Sequence, residues 1–162
     1  MADYVIEARP PSAASTLLTT AEIQEAFSII DATAGVSQES IIAVCEIPAP
    51  PFKEDVRADY VKRAFEKMGL PSVVVDSEGN VIAKRPGRSR SPKIVISAHL
   101  DTVFPEGTDV RVKRERGRLW APGVSDNGCG VAALLALARV FDAAGIETEG
   151  TVYLVATVGE EG

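Results

Sequence analysis

The sequence predicts an α/β fold, and three observations predict it. Apolar residues recur at helical spacing up to Met68 and at strand spacing beyond Ser72. Lys93-Ile94-Val95-Ile96-Ser97-Ala98 is a nearly continuous apolar run of strand length, the pattern of a strand covered on both faces. An apolar helix and a second apolar strand over 151–158 follow it, a βαβ order that implies a right-handed crossover and a parallel pair.

Taken in order, Thr19 with Glu22 fits a capping box ahead of Ile23, Ala26, Phe27 and Ile30, which share one helical face. A short second helix is expected over 38–46. Pro48, Pro50 and Pro51 stop it, because proline lacks the amide that a helix needs and crowds the residue before it. Val56, Tyr60, Ala64, Phe65 and Met68 make a third helical stripe, ended by Gly69 and Pro71. Residues 73–75 and 81–83 flank the turn formers Ser77-Glu78-Gly79-Asn80 and read as a β-hairpin. Segment 110–120 reads as strand, turn at Gly117, strand, with Arg111, Lys113, Arg116 and Arg118 on its wet side. Segment 128–142 reads as a helix that is apolar almost all round.

A length of 162 residues with 46% apolar residues is enough for one compact domain with its own core. The formal net charge of −6 argues against a nucleic-acid or anionic-membrane partner, since both need a concentrated basic face. Lys84, Arg85, Arg88, Arg90 and Lys93 do cluster. Interleaved with Pro86, Gly87, Ser89, Ser91 and Pro92, they read as a solvated loop. Cys45 and Cys129 match neither a C-x-x-C zinc pair nor a disulfide framework, and read as buried free thiols. The first residues hold Asp3, Glu7, Arg9 and a Pro10-Pro11 pair but no continuous apolar stretch, so no secretory signal and a cytoplasmic location are expected. The most apolar stretch, 131–140, is shorter than the roughly 20 residues a membrane span needs, and reads as a buried helix.

Chemistry concentrates at three places. His99 and Asp101 follow the first apolar strand, and residues two apart in extended chain project to one side. In a metal site the carboxylate would accept from one ring nitrogen while the other binds the ion; a histidine at a strand end also serves as a hydrogen-bonded structural residue. Asp126, in the loop entering the apolar helix, fits a helix N-cap, and fits equally a carboxylate shared between two cations. Glu160-Glu161 ends the last strand, where two adjacent carboxylates are costly unless a cation or solvent screens them. One imidazole with hard oxygen donors suits zinc, manganese or cobalt, and the missing thiolates argue against a structural zinc cage. Two rival motifs fail. Gly128-Cys129-Gly130 lacks the third glycine of a dinucleotide fingerprint, and Gly123-Val124-Ser125-Asp126-Asn127 has Asn127 where a nucleophile elbow needs glycine.

These segments resemble the M20 family of metallopeptidases and deacylases. Ser97-Ala98-His99-Leu100-Asp101-Thr102-Val103 looks like the family's first metal motif, Gly123-Val124-Ser125-Asp126-Asn127-Gly128 like its second, and Gly159-Glu160-Glu161-Gly162 like its third. The resemblance covers 37–162 and leaves 1–36 as an N-terminal extension with a helix. It implies the N-terminal part of a three-layer, zinc-peptidase-like (phosphorylase/hydrolase-like) catalytic domain. His99, Asp126 and Glu161 would be metal ligands, with Asp126 bridging two divalent ions, most naturally zinc, with cobalt or manganese as alternatives. Asp101 would orient His99, Glu160 would be the general base, and the Asp126–Asn127 peptide would be cis. The implied substrate is a short peptide or, as the rival, an N-acyl amino acid. Asn127 stands where many relatives carry a second aspartate. The family's further aspartate and histidine ligands, and the lid domain through which the parent would form a homodimer, come later in its chains, and His99 is the only histidine here. The chain alone is therefore expected to be an inactive N-terminal piece.

Overall fold

The computed structural model describes residues 13–162. Residues 1–12, with the Pro10-Pro11 pair and the start of the N-terminal extension, lie outside the described residues. Four helices come first: α1 (Ala13–Leu17), α2 (Ala21–Ala32), α3 (Ala34–Cys45) and α4 (Asp55–Lys67). Strands β1 (Ser72–Val75), β2 (Val81–Arg85), β3 (Lys93–His99), β4 (Lys113–Glu115) and β5 (Arg118–Trp120) follow. A single π-type turn, Val124–Gly128, then leads into α5 (Cys129–Ala143), and β6 (Thr151–Thr157) is the last element.

The main sheet has the order β1-β2-β6-β3, in which β6 runs parallel to β3 and antiparallel to β2. The strand–helix–strand reading thus becomes a βαβ unit of neighbouring strands. Register puts Val81, Ala83, Val152, Leu154, Ala156, Ile96 and Ala98 on one face, and these pack with Val61 and Phe65 of α4 and Val131, Leu134, Leu135 and Ala138 of α5. Among the described residues α4 and α5 are the helices packed most extensively on the sheet, and they touch each other. One helical layer therefore covers one face.

Several expectations need correction. β3 is an edge strand, not one covered on both faces: Ile94 and Val95 are 49% and 64% exposed. Its apolar run meets α5 on one side only. The capping box does not form, because the Thr19 hydroxyl donates back to Thr16 O and helix α2 begins one residue later, with Thr20 at the N-cap. On α4 the buried face is Arg57, Ala58, Val61 and Phe65, while Val56 is exposed. The expected stripe was rotated because a buried arginine does not read as core. Helix α3 starts at Ala34, earlier than position 38, and so runs through position 37. Arg85 is no solvated loop residue: it ends β2, donates to Ile146 O, and lies 5.3 Å from the Phe141 ring centroid. Only Cys45 is buried; Cys129, at the start of α5, is exposed. The helical run Val124–Ala143 is 20 residues, long and apolar enough by composition to cross a membrane. Its buried positions, however, lie in the core just described.

The edge placement of β3 separates two substitutions. Leu154→Ala, at the centre of β6, should cost about 2–5 kcal/mol of unfolding free energy, whereas Val95→Ala should stay within about 0.5 kcal/mol. Urea unfolding of both variants checks this; equal losses would mean that β3 is covered on both faces after all.

Candidate metal centre

The parallel pairing of β3 and β6 brings their C-terminal ends to one edge of the sheet, with His99 opposite Thr157. Beyond that point both chains turn into loops, and the sequence-selected residues meet there. His99 Nε2 lies 2.9 Å from Asp126 Oδ1, and His99 Nδ1 lies 3.1 Å from the Asp101 carbonyl and 3.4 Å from Asp101 Oδ1. His99, Glu160 and Glu161 each offer a ligand atom, all within 4.8 Å of one another.

Asp126 is placed by the turn before α5. Gly123 is left-handed (φ 70°), Asp126 and Asn127 have non-helical dihedrals, and the peptide between them is cis. Asp126 is not the N-cap of α5, a position that Gly128 takes. The Asp126 carboxylate is turned to His99 instead, which disposes of the N-cap alternative. The two glycines of the failed dinucleotide fingerprint have a packing role here. A Cβ on Gly128 would lie 2.4 Å from Cys45 Sγ, and one on Gly130 would lie 1.9 Å from Asn127 Oδ1. Burial pushes the Cys45 thiol up to about 11, against the opposing pull of Arg57.

Glu160 and Glu161 do not separate as strand alternation predicts. β6 ends at Thr157, and Gly159 takes a left-handed φ of 66°, so neighbouring side chains are no longer bound to opposite sides. Both carboxylates reach the His99 cluster. Glu160 is exposed and Glu161 half-buried.

Three residues without a sequence motif hold this arrangement. Arg57, 2% exposed, donates from Nε and Nη2 to Ile47 O and from Nη1 to Leu100 O at 2.6 Å, tying the loop after α3 to the His99–Asp101 segment. Burial lowers its pKa, with the charges of Cys45 and Asp101 acting the other way. Glu54, 4% exposed, accepts from the amides of Phe52 and Gly159. Asn80 accepts from the Val158 amide at 3.0 Å. A charged residue inside an amphipathic helix normally marks the wet face, so Arg57 carried no readable signal.

The donor set fits a divalent cation. Four carboxylates, Asp101, Asp126, Glu160 and Glu161, gather around one imidazole, a set of hard oxygen donors with one nitrogen that suits a divalent ion. Asp101 has 0% exposure, and its Oδ1 is buried without a hydrogen-bond partner. Both nitrogens of His99 face only oxygen acceptors. Burial works against its charged form, but the bond to Asp126 and the nearby Asp101 and Glu160 outweigh it and raise its pKa. A cation on Nε2 would take the place of that proton.

The Arg57 clamp is testable without metal. Lysine cannot reach both carbonyls with one ammonium, so Arg57→Lys should leave a buried carbonyl unsatisfied and lose roughly 1–3 kcal/mol in denaturant unfolding. A loss below about 0.5 kcal/mol, the range of ordinary surface changes, would show that the clamp contributes little.

The family model described as Peptidase family M28 matches residues 80–162, just over half of the chain. Among solved structures, the aminopeptidase PepT of Bacillus cereus is 22% identical over 77% of this chain and 36% of its own, with a TM-score of 0.67. The aminoacylhistidine dipeptidase of Vibrio alginolyticus is 26% identical over 77% and 28%, with a TM-score of 0.60. The YxeP protein of Bacillus subtilis, a dinuclear metal-binding peptidase of the M20 family, is 21% identical over 81% and 37%, with a TM-score of 0.60. The chain spans well under half the length of these structures, and it shares their α/β peptidase fold. By the match over 80–162, the chain belongs to peptidase family M28, within the peptidases of the M20/M28 type.

Proposed function

We propose that this chain carries the N-terminal share of a two-metal centre of the M20 kind, which hydrolyses an amide bond in a short peptide. His99, Asp126 and Glu161 would hold the metal ions, with Asp126 common to both, and Asp101 would orient His99. The observation that carries the reading is the meeting of His99, Asp126, Glu160 and Glu161 at the shared end of two parallel strands. Ligands brought in from a strand end, a helix entry and a second strand end suit the open edge of an α/β sheet, where such proteins bind their ligands. The three motifs of the M20 resemblance coincide with these loops.

Two divalent ions, zinc by the donor set with cobalt or manganese as alternatives, would polarise the scissile carbonyl and acidify water. The chain's own residues supply the rest. Asp101 and its backbone carbonyl hold the Nδ1 side of the His99 ring and leave Nε2 for ligation. Glu160, exposed at the rim of the cluster, takes the proton from the attacking water and returns it to the leaving amine. The same reading carries the expectation of a cytoplasmic enzyme with no nucleic-acid or membrane partner.

Two glutamine substitutions, made in the protein that hydrolyses peptide, separate base from ligand. Glu160→Gln keeps size and hydrogen bonding, so bound metal should persist while turnover falls by about 10²–10⁴-fold. Glu161→Gln should instead lower metal content. Metal content measured beside the rate on di- and tripeptides, with N-acetyl and N-succinyl amino acids as rival substrates, decides the matter. Metal lost from Glu160→Gln and kept by Glu161→Gln would exchange the two roles; full activity in both would remove them.

A further inference from the structure

Glu54 stands outside all three metal motifs, yet its carboxylate bonds the loop that carries Glu160 and Glu161. It occupies the N-cap position of α4 but makes no capping bond to its own helix. Instead its Oε1 takes two amides from outside the helix, Phe52 at 2.9 Å and Gly159 at 3.0 Å. Both of those residues have left-handed backbones, φ 62° at Phe52 and 66° at Gly159. A left-handed φ is unfavourable for a residue with a side chain, and such a conformation persists where its surroundings fix it. The Phe52 ring closes the arrangement from the solvent side. A Cβ on Gly159 would lie 3.1 Å from it, and one on Gly162 would lie 2.6 Å away. The chain from 158 to 161 is therefore pinned at three amides by three different segments: Val158 by Asn80, Gly159 by Glu54, and Glu161 by Asp101 Oδ2 at 2.7 Å.

We propose that Glu54 is a positioning residue for the Glu160–Glu161 pair: by holding the left-handed turn at Gly159 from the start of α4, it sets where the two carboxylates stand relative to His99. This rests on the metal-centre reading above. The role needs one acceptor oxygen and no charge, because both amides converge on a single oxygen. Glutamine at position 54 should therefore perform it, and alanine should not.

The experiment compares Glu54→Ala and Glu54→Gln with the unsubstituted protein by amide hydrogen exchange and by cobalt(II) titration. In Glu54→Ala the Gly159 and Glu161 amides should exchange at least about tenfold faster while Leu154, inside β6, keeps its protection. Cobalt affinity should fall roughly 10–100-fold, the usual effect of removing a group that orients ligands. Glu54→Gln should restore both. A general loss of stability would instead expose Leu154 along with Gly159, and glutamine would be no better than alanine. Unchanged Gly159 exchange in Glu54→Ala, or faster exchange with unchanged cobalt affinity, overturns the assignment while leaving the centre standing. An unsubstituted protein that binds no cobalt overturns the metal-centre reading and this assignment with it.

Discussion

A fully buried carboxylate between an imidazole and a backbone amide sets the terms for the rest of the molecule. Asp101 has no exposure to water, and an ionised carboxylate in that position needs donors or cations close by. Groups approach it from three directions, and Oδ1 still lacks a hydrogen-bond partner. Glu161 N donates to Oδ2, the Nδ1 side of His99 faces Oδ1, and the Arg57 guanidinium is bonded to the neighbouring Leu100 carbonyl. The same contacts join β3, the end of β6 and helix α4. Contacts to one buried group thus tie His99, at the end of β3, to Glu161, in the loop beyond β6.

The sheet order has a similar consequence at larger scale. Because β6 is inserted between β2 and β3, the helix α5 crossover returns the chain beside β3 in parallel, and the two strand ends fall side by side. The antiparallel partner β2 contributes from the hairpin instead: Asp76 Oδ1 accepts from the amides of Glu78, Gly79 and Asn80, and the Asn80 side chain reaches Val158. A tight turn at the same end of the sheet therefore buttresses the loop that bears the two glutamates.

Much of this was legible in the sequence, and the limits have physical causes. Periodicity located the hairpin, β3, α5 and β6, since each has strong local pattern. Pattern reports what a segment can bury but not which neighbour it receives, so the apolar run of β3 was read as central when it stands at the edge. Asp126 could be read as cap or ligand because both uses place a carboxylate before a helix. Only the non-helical turn at Asp126 and Asn127 separates them. The three supports Glu54, Arg57 and Asn80 were invisible, since each acts through long-range bonds to backbone atoms: Gly159 is 105 residues from Glu54. Strand alternation would part the side chains of Glu160 and Glu161, but the left-handed φ at Gly159 ends strand geometry before either residue.

The central claim is that His99, Asp126 and Glu161 hold divalent metal at this edge while Glu160 does not. Anomalous scattering from a crystal of the cobalt-loaded protein, collected at the cobalt edge, tests it most directly. The account predicts density within ordinary ligand distance, roughly 2.0–2.2 Å, of His99 Nε2 and of the Asp126 and Glu161 carboxylates, with Glu160 outside that range. Cobalt bound away from His99, or bound by Glu160 in place of Glu161, would contradict it.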